Sequence, residues 1–384
     1  MCEEINEFDI CPYTDAEAVE ALGKLADHPA VLEVSKAIFP DKEPEFLRTV
    51  LKSVRSIDEF QILVMNKAVE WVLSTTAHNF SYDGIANIKG INGKFLAMSN
   101  HRDIILDPAI TQVVLYRNAI PLTEIAVGSN LLSNKYIEYL IRSNRMIKVI
   151  RGINARQLYL SSQVLSKYIR DAITSGKSSI WIAQREGRAK DSDDRTQDSV
   201  LKMLAMGGEG KPIDSLREIN IVPLTISYEF DPCDYLKAQE FQQKRDNPAF
   251  KKSRQDDLDN MKTGIFGYKG RVHYHCAAPI NTWIDELGDL PKTEFFAALS
   301  KRIDRELHAN YCLFPCNYIA LDELEGTKKY AQHYTEADKK RFEDYLKGQL
   351  EKVKIANPDE KFLRERMLTM YANPLRNYLK AKAE

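Results

Sequence analysis

The chain has 384 residues, of which 44% are hydrophobic and 28% charged, and its formal net charge is −1. That length suggests two or three domains, or one large one with an appendage, and the composition is that of a globular protein with a real core. The near-neutral balance argues against a general nucleic-acid binder, and apolar runs such as Ile62-Leu63-Val64-Met65 fall far short of the ~20 residues a membrane span needs.

The acidic start, Met1 to Glu7, has neither the basic nor the apolar stretch of a secretion signal, so a cytoplasmic location is expected. Residues 14 to 78 read as helices. Thr14-Asp15-Ala16-Glu17 has the spacing of a capping box, and Phe46, Val50, Leu51 and Val54 recur at helical intervals. The pattern then changes. Tyr82 to Ile88 reads as a strand, Gly90-Ile91-Asn92-Gly93 as a turn, and Lys94 to Ser99 as a second strand. Helices are expected over about 104–117, 131–141 and 155–173, alternating with strands at 125–128, 146–150, 179–183 and 219–226. After Asp231 the chain reads as helical to about Met261, as a strand over 271–276, and as a helix over 292–309. Two more helices follow, one capped by Thr335 and one beginning at Asn357-Pro358-Asp359. Strands alternating with helices imply an α/β fold with a mixed, mainly parallel sheet flanked by helices. The expected division is an N-terminal helical bundle over 1–80, an α/β domain over 81–325 and a C-terminal helical extension over 326–384.

Polar clusters fall where four of these strands stop, which is where chemistry is usually sited in an α/β fold. The first is Ser99-Asn100-His101-Arg102-Asp103, with Asp107-Pro108 close behind. A histidine with a carboxylate to orient it is the minimal general-base pair. The second is Lys148 to Arg151, a strand ending in arginine just before a helix, which suits a phosphate. The third, Gln184-Arg185-Glu186-Gly187-Arg188-Ala189-Lys190, sets three cations beside one acid. The fourth is Val222-Pro223, in a buried strand that runs on to Tyr228-Glu229. The tripeptide His101-Arg102-Asp103 also occurs in kinases, but a kinase needs asparagine five residues after the acid, and position 108 is proline. Cys312-x-x-x-Cys316 with His273 and His275 matches no usual zinc spacing, and Val272 to His275 reads as a strand face. No metal site is expected, and the scattered cysteines suit a reducing compartment.

Taken in this order, the four clusters resemble the glycerolipid acyltransferase family over about residues 80 to 230. Asn100-His101 matches the family's first block, Val149-Ile150-Arg151 its second, Glu186-Gly187-Arg188 its third and Ile221-Val222-Pro223 its fourth. The family places an aspartate five residues after the histidine. Here position 106 is leucine, and the acids stand at Asp103 and Asp107. Asp107 is favoured because Asp-Pro is common at the family's position and a wide turn absorbs one extra residue; Asp103 is the alternative. Arg185 and Arg188 replace the usual proline and threonine around Glu-Gly.

The resemblance implies transfer of a fatty acyl group from a thioester to a hydroxyl of glycerol-3-phosphate or 1-acylglycerol-3-phosphate, as in phospholipid biosynthesis. His101 would be the base, with Asp107 or Asp103 behind it. Arg151, Glu186, Gly187, Arg188 and Lys190 would hold the acceptor and its phosphate. No cofactor is implied; acyl-coenzyme A or acyl-carrier protein is the co-substrate. The altered third block leaves room for another lysolipid acceptor, such as an aminolipid, and the shifted aspartate for a non-catalytic lipid-binding protein of the same fold. The partners expected are the thioester donor, a phosphorylated glycerol or lysolipid acceptor, and a membrane surface touched peripherally. For that surface the tail helix, with Phe362, Leu363, Met367, Leu368, Met370 and Tyr371, is a candidate; packing of the same helix on the core is the other reading.

Overall fold

A computed structural model describes residues 9–132 and 134–383. They form a seven-stranded sheet with helices on both faces. The strands are β1 (Ala77–Asp83), β2 (Leu96–Ser99), β3 (Glu124–Gly128), β4 (Met146–Val149), β5 (Ile180–Ala183), β6 (Ile221–Tyr228) and β7 (Gly270–Cys276). They lie in the order β1-β7-β6-β2-β5-β3-β4. From β6 to β4 all neighbours are parallel; β7 runs antiparallel to β6, and β1 runs parallel to β7. The fold is therefore α/β with a mixed, mainly parallel sheet.

Alternation along each strand splits the core. Leu96, Met98, Ile180, Ile182 and Ile221 face the helices Ala155–Thr174, Asp198–Ala205 and Lys292–Ala309. Ala97, Trp181, Val222, Leu224 and Ile226 face Asn66–Thr76 and Leu106–Arg117. The N-terminal helices share a smaller cluster around Leu22, Leu51 and Phe60. A fourth cluster joins Phe230 and Ala238 to Phe314, Ile319, Phe342, Leu363, Met367 and Tyr371, and so draws from both sides of position 325.

Several expectations need correction. The strand read at Tyr82 to Ile88 ends at Asp83, and Ile85–Lys89 is helical. Gly84 makes the turn at φ 71°, and a side chain there would collide with the Cys276 carbonyl. The charged stretch after Asp231 is two helices, Asp234–Asp246 and Arg254–Phe266, parted at Asn247-Pro248. The helix Pro315–Glu325 is not foreseen. The last helix is Glu360–Ala383, with the Asp359 carboxylate accepting from Phe362 N at 3.0 Å, rather than starting at Pro358. Its apolar residues Leu363, Met367, Leu368, Met370 and Tyr371 are buried in the fourth cluster or beside it, so they are not available to a membrane.

Glu229, just past β6, fixes the C-terminal helices to the sheet. It is fully buried, accepts from Arg271 Nε at 3.0 Å and Arg271 Nη2 at 3.1 Å, and pairs with Arg341 of the helix Glu336–Leu350. Glu229→Ala leaves Arg271 without its carboxylate and Arg341 with only the longer contact to Asp338 at 3.7 Å. Because both arginines are partly exposed, the expected loss is about 1–3 kcal/mol, read as a lower urea midpoint; an unchanged midpoint would show that the pairs contribute nothing net.

Burial pushes Asp234 up to about 7, against hydrogen bonds from Tyr371 and Gln349. Burial likewise pushes Asp304 up to about 6. Both would titrate near ~4 in the unfolded chain, so folding favours their protonated forms and stability should fall as pH rises from about 4 to about 7. Asp234→Asn is expected to flatten this fall in a series of denaturation midpoints. The same slope in the variant would show that Asp234 ionises alike in both states.

Candidate active site

The parallel strands β2, β3, β4, β5 and β6 all end at one edge of the sheet, and the first three clusters singled out in the sequence lie at that edge; the fourth, Val222-Pro223, instead sits inside β6, opposite Ala97 and Met98 of β2. At the end of β2, Asn100 is fully buried and extends the pairing with β6. Its Oδ1 accepts from Ile226 N at 2.8 Å and its Nδ2 donates to Ile226 O at 3.0 Å. The next residue is His101, which the sheet therefore delivers to a fixed place.

His101 Nδ1 lies 2.8 Å from Asp107 Oδ2. The same oxygen accepts from Arg102 N at 2.6 Å and Asp103 N at 3.0 Å, and Tyr228 OH lies 3.4 Å from Oδ1. Asp107 is fully buried in the first turn of Leu106–Arg117, where a carboxylate is also favoured by the helix N-terminus. Tyr228 and Tyr274 beside it are held protonated, since burial raises both well above the ordinary phenol value. Asp103 does something else: its Oδ1 accepts from Ile105 N at 2.8 Å and Leu106 N at 2.7 Å, and so caps the helix. Burial, and then the Asp107 charge, raise its pKa. Of the two acids read in the sequence, Asp107 is the one that meets His101.

His101 is mostly enclosed, with 13% of its side chain exposed, and packs edge-on to Trp181 with ring centroids 6.0 Å apart. Its Nε2 has no hydrogen-bond partner among the described residues.

The other expected residues divide. Arg151, beyond β4, and Glu186, beyond β5, come together: Arg151 Nη1 lies 2.6 Å from Glu186 Oε1. Gly187 follows at φ 68°. Arg188 turns away, donating to Asn260 Oδ1 at 2.8 Å on the helix Arg254–Phe266, which also walls Asp103. Lys190 reaches further, to Glu240, which Lys244 also contacts at 2.8 Å. Burial pulls the Lys190 ammonium down to about 8, while Glu240 favours its charged form. The basic third block is thus spread over two helices rather than gathered on one ligand.

An apolar cleft adjoins the histidine loop. Its space, open mouth included, is about 850 Å³, and it begins at Ile104 and Ile105. From Pro108 to Tyr116 it follows one wall of Leu106–Arg117 for about 12 Å. Its other wall is the N-terminal segment, with Ile62, Met65 and Val69. Sequence reasoning missed this wall. The signal available was Ile62 to Met65: four apolar residues in a row cannot share one face of an α-helix, and here the turn Gln61–Met65 is π-helical. Among the described residues no group of three or more His, Cys, Asp or Glu is placed to hold a metal ion. The Cys316 thiol is buried against Glu229 O instead.

No family model matches this sequence, and no curated protein is similar to it. Among solved structures, the crystal structure of the 1-acyl-sn-glycerophosphate (LPA) acyltransferase PlsC from Thermotoga maritima is similar at 11% identity and a TM-score of 0.37, covering 76% of this chain and 94% of that one.

The division of labour between the two acids is testable without reference to any reaction. Asp107→Asn should alter the nitrogen NMR signals of the His101 ring, because the group facing Nδ1 changes. Asp103→Ala should leave the ring nearly untouched and cost about 1 kcal/mol of stability as a lost helix cap. Equal disturbance of the ring by both variants would contradict the assignment.

Proposed function

We propose that this chain is an acyltransferase, moving a fatty acyl group from a thioester donor to a hydroxyl of glycerol-3-phosphate or 1-acylglycerol-3-phosphate. The observation that carries this reading is the His101–Asp107 pair at the end of β2, 2.8 Å apart, in the loop whose Ile104 and Ile105 line an apolar cleft. A histidine oriented by a buried carboxylate is a general base, and an apolar cleft beside it suits a hydrocarbon chain.

In this mechanism Asp107 holds His101 in the tautomer with the proton on Nδ1, leaving Nε2 to accept the proton of the acceptor hydroxyl. The hydroxyl oxygen attacks the thioester carbonyl, and the tetrahedral intermediate expels the thiolate. The thiolate then recovers the proton from His101. Asp107 stabilises the imidazolium between these steps. The reaction calls on no prosthetic group; the thioester of coenzyme A or of a carrier protein is consumed as co-substrate.

The Arg151–Glu186 pair supports a second reading of the acceptor. A cation and an anion 2.6 Å apart offer complementary partners to a zwitterionic head group, so a hydroxylated aminolipid fits this pair as well as a phosphate fits Arg151 alone. With either acceptor the product is a lipid, and the protein would work at a membrane surface. No helix among the described residues is long and apolar enough to cross a membrane, and with the tail helix buried the contact would be made elsewhere.

The test follows thiol release from acyl-coenzyme A and acyl-carrier protein with glycerol-3-phosphate, 1-acylglycerol-3-phosphate and a hydroxylated aminolipid offered separately, with the product identified by mass. Acceptor-dependent release is expected, reduced by about 10²–10⁴-fold in His101→Ala while the variant stays folded. Release that needs no acceptor, or that survives in His101→Ala, would overturn the proposal.

A further inference from the structure

Asp194 stands in the polar loop between β5 and the helix Asp198–Ala205, and no step of the acyl-transfer mechanism calls on it. Its side chain is fully buried. One of its oxygens, Oδ2, takes three donors: Arg102 Nη2 at 2.8 Å, Asn100 Nδ2 at 3.2 Å and Tyr311 OH at 2.5 Å. Asn100 and Arg102 are the residues on either side of His101. Each also fixes the histidine loop in another way. Asn100 pairs with Ile226 of β6, and Arg102 N donates to Asp107 Oδ2, the oxygen that faces the His101 ring. A single carboxylate oxygen therefore holds both flanks of the histidine.

Asp194 is itself held by the helix Lys292–Ala309. His308 Nε2 donates to the Asp194 carbonyl at 2.8 Å, and Thr196 donates from N and from Oγ1 to Asp304 Oδ1, both at 2.7 Å. The charge of Asp194 matters as well as its shape. Arg102 is 6% exposed, and among the described residues Asp194 is the one carboxylate within ion-pair distance of it. A buried cation needs a fixed counter-charge. A neutral acceptor at position 194 fills the same space but leaves the guanidinium uncompensated, and the Arg102 main chain beneath Asp107 loses its anchor.

We propose that Asp194 is a positioning residue for His101: by holding Asn100 and Arg102 to one point it sets where the imidazole sits, while Asp107 sets how the ring is turned. The kinetic consequence rests on the acyl-transfer reading; the effect on the His101 ring does not.

The test compares Asp194→Asn with Tyr311→Phe in the full chain. Tyr311 reaches the same oxygen but belongs to neither flank of His101, and phenylalanine keeps the ring that lies 5.7 Å from the Arg102 guanidinium. Two quantities are followed: the nitrogen NMR signals of the His101 ring, and kcat and KM for thiol release from acyl-coenzyme A with 1-acylglycerol-3-phosphate. Asp194→Asn should shift the ring signals and lower kcat by about 10–100-fold with KM little changed, the signature of a misplaced base. Tyr311→Phe should lower the denaturation midpoint and leave ring and kcat as in the parent. Because Asp194→Asn strands a buried cation, a second variant joins it to Arg102→Met and so removes both charges. This variant should fold and still show the shifted ring and the lowered kcat. Parent-like ring signals or parent-like kcat in both Asp194 variants, or equal changes in Tyr311→Phe, would overturn the proposal. A shifted ring in the variants of a parent that shows no acceptor-dependent release would keep Asp194 as the residue that places His101 and remove the acyl-transfer reading instead.

Discussion

The Asp107 carboxylate is the constraint on which the centre of the molecule depends. It is fully enclosed, and an enclosed carboxylate is tolerable only when donors surround it. Two backbone amides, the His101 ring and the Tyr228 hydroxyl supply those donors. To do so the chain between β2 and the following helix must wrap around one oxygen, and this wrapping aims the imidazole. The second acid makes the wrapping possible. Asp103 takes up the free amides at the helix start, so the two carboxylates divide the work of orienting a ring and beginning a helix.

The sheet supports this loop from both sides. Asn100 ties it to β6, and Gln184 N donates to Ser99 O at 2.8 Å, tying it to β5. Beyond β5 the chain brings Glu186 to Arg151, then leaves to dock Arg188 and Lys190 on two separate helices. The cross-tied part of the edge lies over β2, β5 and β6. The cleft wall opposite is contributed by the N-terminal helices, which have a small core of their own around Leu22, Leu51 and Phe60.

The strands were largely legible because buried parallel strands are short, continuous apolar runs, and those at 180–183 and 221–228 have few other readings. The histidine and its neighbouring acids were legible as residue types at a strand end. Asp107 was favoured over Asp103 only through the family resemblance; the physical ground of the choice, which backbone amides the loop leaves free, was not legible. Burial decided the tail helix: its apolar stripe reads the same whether it faces lipid or Phe230 and Phe342. The spread of the basic third block was also hidden, because Asn260 and Glu240, the residues that hold Arg188 and Lys190, come far later in the chain.

Gly264 sits against the Asp103 carboxylate so closely that any side chain there would collide with it. The helix carrying this glycine is made long after the loop it touches. A growing chain can therefore complete β2 and the histidine loop, yet their buried acid has no wall until residues 254–266 emerge and dock. The hydrogen bonds that give the two acids their roles are local, but the enclosure of Asp103 is a late contact, and a fragment ending before that helix would keep the histidine and both acids without that wall.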